Sequence, residues 1–575
     1  MNVVLDGASL TIEQLAAIAR DPSVAVDIDP KTEPAVRRSE AVIARIVEQH
    51  REAFAQGGKI SEYGVTTGFG EFKDKPIAPD DLEQLQRNLL LSHSVGVGDN
   101  SDPDDLSNYY PAEVVRGALA TRLNAFLKGR SGVRMRLVEI VQAMLNRGVI
   151  PLVPLRGSVG ASGDLCPLSH LFATLLGEGR FYTMLDASNG RTLRSARELP
   201  EVLGFSADDL KPTFKEGLGL VNGANFSASM LALAVFDAER LADTADAAAA
   251  LSLEAVAGCT RALDPKVHAE RGHPGQIESA HRIGELLAGS RLVERAGAVQ
   301  DPYSLRCAPQ VHGATRDTLR FVRATAEREL NAATDNPLFF PDGGDPFDLQ
   351  FRANWPEWYR GDRRLAYSAG NFHGQPLALA ADFLTIAIHE LGNISERRTQ
   401  LMLDGHHNRG LPQNLTTRPG VNSGLMILQY TAASIVSENK VLAHPASVDS
   451  IPTGANTEDH VSMSTHAARK LRTVLSNVQS VLAIELLTAA QAVEWRAAFD
   501  IDPNQPSRLA DAAAAEAQAR EFEEKVRDRA ADIATQLGRG TREWYLTIRN
   551  AARPVFFDRP LDGDIRAVRR AIGAA

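Results

Sequence analysis

Residues 230–249 read Met230-Leu-Ala-Leu-Ala-Val-Phe-Asp-Ala-Glu-Arg-Leu-Ala-Asp-Thr-Ala-Asp-Ala-Ala-Ala249. Met230, Leu233, Phe236, Leu241, Ala245 and Ala248 recur at spacings of three to five residues, which predicts an amphipathic helix. The stretch lies in a proline-free run between Pro212 and Pro265. Two further runs lie between Pro376 and Pro412 and between Pro452 and Pro503, each rich in Ala, Leu and Glu. A helix of about thirty residues spans roughly 45 Å. Three or more such helices argue for a long bundle. Alternating β-branched residues are scarce, so the predicted fold is mainly α with a long central helical bundle.

Outward from this run, the first ~210 residues are mixed, with helical stretches broken by Gly and Pro. Val3-Val4-Leu5 predicts a short strand, Asp6-Gly7 a turn, and Thr11-x-x-Gln14 a capping box that opens a helix. The expected organisation is a smaller mixed N-terminal domain over 1–215, a long-helix bundle over 216–505 and a helical tail over 506–575. Within the tail, Ser507–Gly538 predicts a solvated helix with Gly538 near its C-cap. Residues 341–370 interrupt the bundle with Asp342-Gly-Gly-Asp345, Arg352, Trp355, Pro356, Trp358 and Tyr359. They read as an ordered surface excursion with two buried Trp, or more sharply as a lid or intersubunit contact. No internal repeat is visible.

Composition narrows the function. The chain carries 62 basic and 72 acidic side chains, a net charge of −10, and no basic tract, so nucleic-acid binding is not expected. Cys166, Cys259 and Cys307 are odd in number and widely spaced. That excludes a disulfide framework and a CxxC metal site, and a reducing cytoplasm is expected. No basic segment precedes an apolar run, and no stretch of ~18 uncharged apolar residues occurs, so neither a signal peptide nor a membrane span is expected.

The most informative chemistry lies in Gly157-Ser-Val-Gly-Ala-Ser-Gly-Asp-Leu-Cys-Pro-Leu-Ser-His170. No GK[ST] follows the glycines, so a P-loop is excluded. Read structurally, the stretch is a turn capped by Ser162 or Asp164 before a Leu-rich helix. Another chemistry is open to Ala161-Ser162-Gly163. Gly163 lacks a Cβ, so in a tight turn its amide nitrogen can reach the Ala161 carbonyl. Loss of two waters then gives a methylidene imidazolone (MIO), an electrophile made without external cofactor.

This segment closely resembles the active-site signature of the aromatic amino acid lyase family. Glu62-Tyr63-Gly-Val-Thr-Thr-Gly-Phe-Gly70 is similar to its tyrosine loop, and Lys215-Glu216-Gly217-Leu218 to Asn222-Gly223 resembles its Asn loop. Val299-Gln300-Asp-Pro-Tyr303-Ser-Leu-Arg306 resembles its lid motif. Gly370-Asn-Phe372-His-Gly374 and Glu458-Asp-His-Val-Ser-Met463 match as well, all in family order over roughly residues 1–500. The resemblance implies a homotetramer acting on a small amino acid by β-elimination of ammonia, each active site drawing on three subunits. It implies Tyr63 as base, the triad as MIO, Tyr303 near it, and Asn222 and Gln300 as hydrogen-bonding partners. Arg306 would grip the substrate carboxylate through a bidentate fork, and Phe372 would pack beside the ring.

The resemblance also bears on the substrate. Ser92-His93 within Leu89-Leu-Leu-Ser-His-Ser-Val-Gly96 resembles the histidine-specific members and also some tyrosine aminomutases, whereas Met426 within Val421-Asn-Ser-Gly-Leu-Met426 and Glu458 resemble the histidine-specific members. An imidazole has two ring nitrogens, enough to pair with both His93 and Glu458. A phenyl ring would leave Glu458 unsatisfied, at ~1–3 kcal/mol. Sites built on such hydrogen bonds reject analogues lacking them by about 10⁴-fold. The expected reaction is therefore conversion of L-histidine to urocanate and ammonia. The alternative is a phenylalanine or tyrosine ammonia-lyase or 2,3-aminomutase that uses the same MIO.

Overall fold

The computed structural model describes residues 1–185, 192–341, 365–505 and 516–574. The fold is mainly α and rests on long helices, among them Asn225–Ala255, Ala308–Leu330, Gln375–Leu403 and Ser464–Phe499. Three of these four occupy the predicted proline-free runs. Strands among the described residues are short. Asn2–Leu5 pairs in parallel with Ala25–Ile28, Arg180–Thr183 lies antiparallel to both Val149–Pro151 and Arg194–Ser195, and Leu338–Phe339 lies antiparallel to Ala366–Tyr367. The N-terminal reading holds in detail. Helix Ile12–Arg20 opens on the Thr11 capping box, with the Gln14 amide donating to Thr11 Oγ1 (3.2 Å) and the Thr11 amide to Gln14 Oε1 (3.0 Å).

Three details differ from expectation. Helix Asn225–Ala255 is not amphipathic over its first third, because residues 225–235 are buried on every side. A helix surrounded by neighbours has no polar stripe, and its Ala-rich surface lets those neighbours approach. The described part of the tail forms helices Glu516–Asp528 and Ala530–Gln536. Gly538 does lie near the end of the second, directly after its C-cap Leu537. It sits at the N-cap of the next helix, Arg539–Ala551, with its amide donating to Glu254 Oε1 at 2.7 Å. Lastly, Gln375–Leu403 and Ser464–Phe499 are long and apolar enough to cross a membrane, but 61% and 72% of their most apolar windows are buried inside the protein. Such burial is what core helices show. The 341–370 excursion falls almost wholly outside the described residues.

The described chain forms two compact units. The first comprises residues 1–236, 323–382 and 445–469; the second comprises 237–322, 383–444 and 470–575. Inside the first, Val42, Ile43, Ile46, Val47, Val65, Leu82 and Phe339 form one apolar core. It backs the Tyr63 loop through Val65. Inside the second, buried polar bonds join all four long helices. Ser252 and Arg398 both donate to Glu485, and His312 pairs with Asp246.

Candidate active site

The Ala161-Ser162-Gly163 turn lies in the first unit, just before helix Leu165–Ala173. Ser162 has φ +51°, a left-handed conformation uncommon for a residue with a Cβ. The turn is fastened to the Asn222-Gly223 segment through backbone hydrogen bonds. Gly223 N–H donates to the Ser162 carbonyl (3.1 Å), and Asp164 N–H to the Gly223 carbonyl (2.8 Å). A Cβ on Gly163 would lie 2.3 Å from the Gly223 carbonyl carbon, so only glycine fits.

Neither Ser162 nor Asp164 caps the helix through its side chain. The Asp164 carboxylate is fully buried and turns the other way. It accepts from the Ser227 amide and hydroxyl, each at 2.8 Å, and from the Thr465 hydroxyl. A buried carboxylate with several donors outbids a solvent-facing cap. Burial raises its pKa above the ordinary range, and those donors pull against the rise.

Tyr63 and Glu458 meet around Gly70. The Gly70 amide donates to the Tyr63 hydroxyl at 3.3 Å, and a Cβ on Gly70 would lie 3.3 Å from Glu458 Oε1. Burial lifts the Tyr63 phenol above its usual pKa; the Gly70 hydrogen bond opposes this and the charge of Glu458 adds to it. Glu458 is itself raised, first by burial and then by the charge of Glu71. His93 ends helix Leu82–His93, half-buried, with Nδ1 2.9 Å from the Ser92 hydroxyl. Burial lowers its pKa, so the neutral ring is favoured. Phe372 is half-buried in the turn before helix Gln375–Leu403. Beside it, the His373 ring stacks on His460 with centroids 5.9 Å apart. His373 Nδ1 accepts from the Gln375 amide, so Nε2 carries the proton and donates to the His460 carbonyl at 3.2 Å. The motif blocks around Phe372 and Glu458 are thereby joined.

Asn222 is buried. Its Nδ2 donates to the Asn336 carbonyl at 3.1 Å, while its Oδ1 is buried without a partner among the described residues. The sequence reading missed Gln86. It is fully buried, its Nε2 donating to the Gly64 carbonyl (3.2 Å) and its Oε1 accepting from the Leu218 amide (3.0 Å). Gln86 therefore ties the Tyr63 loop to helix Glu216–Val221, whose C-cap is Asn222. A signal existed: Gln86 shares the buried face of its helix with Leu82, Leu89 and Leu90. The same helix is held at its start by Lys215. That side chain is buried against Asp335 at 2.6 Å, and burial pushes its pKa down to about 8.

Gln300, Tyr303, Arg306 and Met426 belong to the second unit. Tyr303 is 71% exposed at the start of the short helix Tyr303–Arg306, and Val299 is 90% exposed just before it. Gln300 is also exposed. The Arg306 guanidinium lies over the Tyr303 ring, 4.6 Å from its centroid. Met426 is half-buried and opens helix Met426–Leu442.

Comparison with known proteins shows the family. A family model for aromatic amino acid lyases matches residues 10–521, and the chain belongs to that family. It is 45% identical to a histidine ammonia-lyase of Caldanaerobacter subterraneus subsp. tengcongensis over 500 residues, 87% of this chain and 89% of that one. It is 43% identical to a histidine ammonia-lyase of Symbiobacterium thermophilum over 570 residues, 99% and 96% of the two chains. Among solved structures, histidine ammonia-lyase from Trypanosoma cruzi superposes with a TM-score of 0.77 at 36% identity, covering all of this chain and 94% of that one. A tyrosine aminomutase from Streptomyces globisporus superposes with a TM-score of 0.82 at 32% identity, covering all of this chain and 97% of that one.

Proposed function

We propose that the protein eliminates ammonia from L-histidine to give urocanate, with an electrophile built from Ala161-Ser162-Gly163. The observation that carries the reading is the meeting of Tyr63 and Glu458 around Gly70. The relatives named as histidine ammonia-lyases at 43–45% identity support the choice of ring.

The turn suits the group. Ser162 is already in the left-handed region, and Gly163 approaches Gly223 too closely for any side chain. An MIO supplies an electrophile that captures the substrate amine and makes it a leaving group. The chain's own residues then divide the remaining work. Tyr63 takes the β-proton at its hydroxyl oxygen. In the first unit both burial and Glu458 disfavour its phenolate, so a cationic neighbour has to come with the substrate or the assembled site. Asn222 Oδ1 offers an unused buried acceptor for an N–H donor. Glu458 and His93 read the two imidazole nitrogens, and Met426 and Phe372 border the ring. Arg306 holds the carboxylate, and Gln300 and Tyr303 complete that end.

The exposure of Val299, Gln300 and Tyr303 supports a homotetramer in which this turn is offered to another copy's Tyr63. Two buried free cysteines and a third half-buried one suit a reducing cytoplasm. The long apolar helices serve as core rather than as membrane spans. The test is direct. Purified protein is incubated separately with His, Tyr and Phe, and conjugated product and free ammonia are followed. Turnover of histidine with release of ammonia is expected. Retention of nitrogen in a β-amino acid, or preference for Tyr or Phe, would replace the reading by its aminomutase or aromatic-lyase alternative.

A further inference from the structure

The turn that carries Tyr303 and Arg306 leaves Tyr303 exposed and Arg306 half-buried, and its backbone is gripped from behind. Leu305 is buried. Asp301, just before the turn, is buried too; its carboxylate accepts from Arg409 and from the Cys259 amide, each at 2.6 Å. Behind the turn lies Arg398, fully buried on helix Gln375–Leu403. Its Nε and one terminal nitrogen engage Glu485 as a fork at 2.5 and 2.9 Å. The other terminal nitrogen reaches the Ser304 carbonyl at 3.3 Å and His312 Nε2 at 3.4 Å. For Nε2 to accept from Arg398, the His312 proton must sit on Nδ1, which faces Asp246 Oδ1 at 2.7 Å. Asp246 is held in turn by Arg316 at 2.6 Å. Burial and the Arg398 charge hold the His312 pKa down, while Asp246 and Glu485 oppose them.

A fork to Glu485 would suffice to neutralise that carboxylate. The third arm does something else: it ties a fully buried part of the helical core to one main-chain carbonyl between Tyr303 and Arg306. We infer that Arg398 is a positioning residue for the Tyr303–Arg306 turn, fixing the direction in which Arg306 presents its guanidinium to the substrate carboxylate. The inference rests on the reading of Arg306 as the carboxylate clamp. Lysine at 398 could neutralise Glu485 but has no planar fork to serve the carbonyl as well.

The test uses the full-length protein and three changes: Arg398→Lys, the charge-neutral double variant Arg398→Met/Glu485→Leu, and Arg306→Ala. The double variant leaves no buried charge unpaired, so folding should survive. Steady-state kinetics on L-histidine are paired with hydrogen exchange of the peptide spanning residues 299–307, read by mass spectrometry. Both Arg398 variants are expected to raise KM by about tenfold, with a smaller fall in kcat, because misplacing a binding group by a fraction of an ångström costs on that order. Exchange should quicken in 299–307 and stay at wild-type rates in 157–165. Wild-type exchange and a KM within about twofold of wild type in the folded double variant would overturn the inference, as would full restoration by Lys. If Arg306→Ala leaves KM unchanged, the clamp reading is what fails, and the exchange rate of 299–307 alone then decides whether Arg398 holds the turn.

Discussion

In the proposed reaction the Ala161–Asp164 turn and the Tyr303–Arg306 turn carry chemistry of opposite kinds, and the chain treats them differently. The first is enclosed. Its backbone is bonded to Gly223, its Asp164 is fully buried among hydroxyls, and a Cβ at Gly163 has no room. The second buries Leu305 and has its Ser304 carbonyl bonded from within, while Tyr303 is exposed and Arg306 half-buried. A reaction of the backbone with itself needs one strained conformation held against every alternative, which costs of order 1–3 kcal/mol that surrounding contacts must offset. A carboxylate clamp needs the reverse: a charged side chain that meets its partner from outside, on a rigid mount.

The sharpest way to break this contrast is at Ser162. Ser162→Ala should abolish turnover of histidine and also the deficit of two waters in the intact mass. A full deficit in that variant, or none in an active wild type, would remove the built-in electrophile. Tyr63→Phe comes next. Turnover should fall by about 10²–10⁴ while the mass deficit persists, because the hydroxyl bonds Gly70 rather than the Ala161–Asp164 turn among the described residues. Near-normal kcat would move the base elsewhere.

Glu458→Gln is expected to have a middling effect on rate and a large one on preference. It exchanges a charge-assisted bond, about twice as strong as a neutral one, for a neutral one. kcat/KM for histidine should fall, and the penalty on phenylalanine should ease. His93→Phe should push the same way. Unchanged histidine turnover in Glu458→Gln would count against an imidazole reader.

The smallest pair compares the two turns directly. Asp164→Ala strands the Ser227 and Thr465 donors and should lower stability by ~1–3 kcal/mol. Arg306→Ala removes a half-buried side chain and should lower Tm less than Asp164→Ala does while raising KM for histidine. Thermal melts and kinetics on the same two proteins check both. A lowered Tm in Arg306→Ala with unchanged Asp164→Ala would invert the contrast.

Much of this was legible in the residues alone. Helix period and the absence of proline are local properties, so the long helices could be read directly, as could the Thr11 capping box. The glycine-flanked triad and the block around Tyr63 were legible because backbone chemistry demands particular residues in immediate succession. Asp164 stands at the N-cap as read, but that its side chain turns away could not be read, because its partners, Ser227 and Thr465, are remote in sequence. Gln86 passed unnoticed because one polar residue on a leucine face gives no hint of which amides it will meet. The Ser304 carbonyl could not be seen as a ligand of Arg398 at all, since main-chain acceptors are the same at every position.

Sequence by itself determined the class of fold, the triad that can cyclise, and the family, because each depends on residue types at short spacing. Tertiary structure alone decided that helix Asn225–Ala255 is buried on all sides at its start, that Asp164 faces inward, and that Tyr63 shares Gly70 with Glu458. It also decided that the Tyr303–Arg306 turn stands on a buried arginine. The physical reason is the same in each case. Burial and long-range hydrogen bonding depend on which distant residues fill the surrounding space, and a single chain position does not encode its neighbours across the fold.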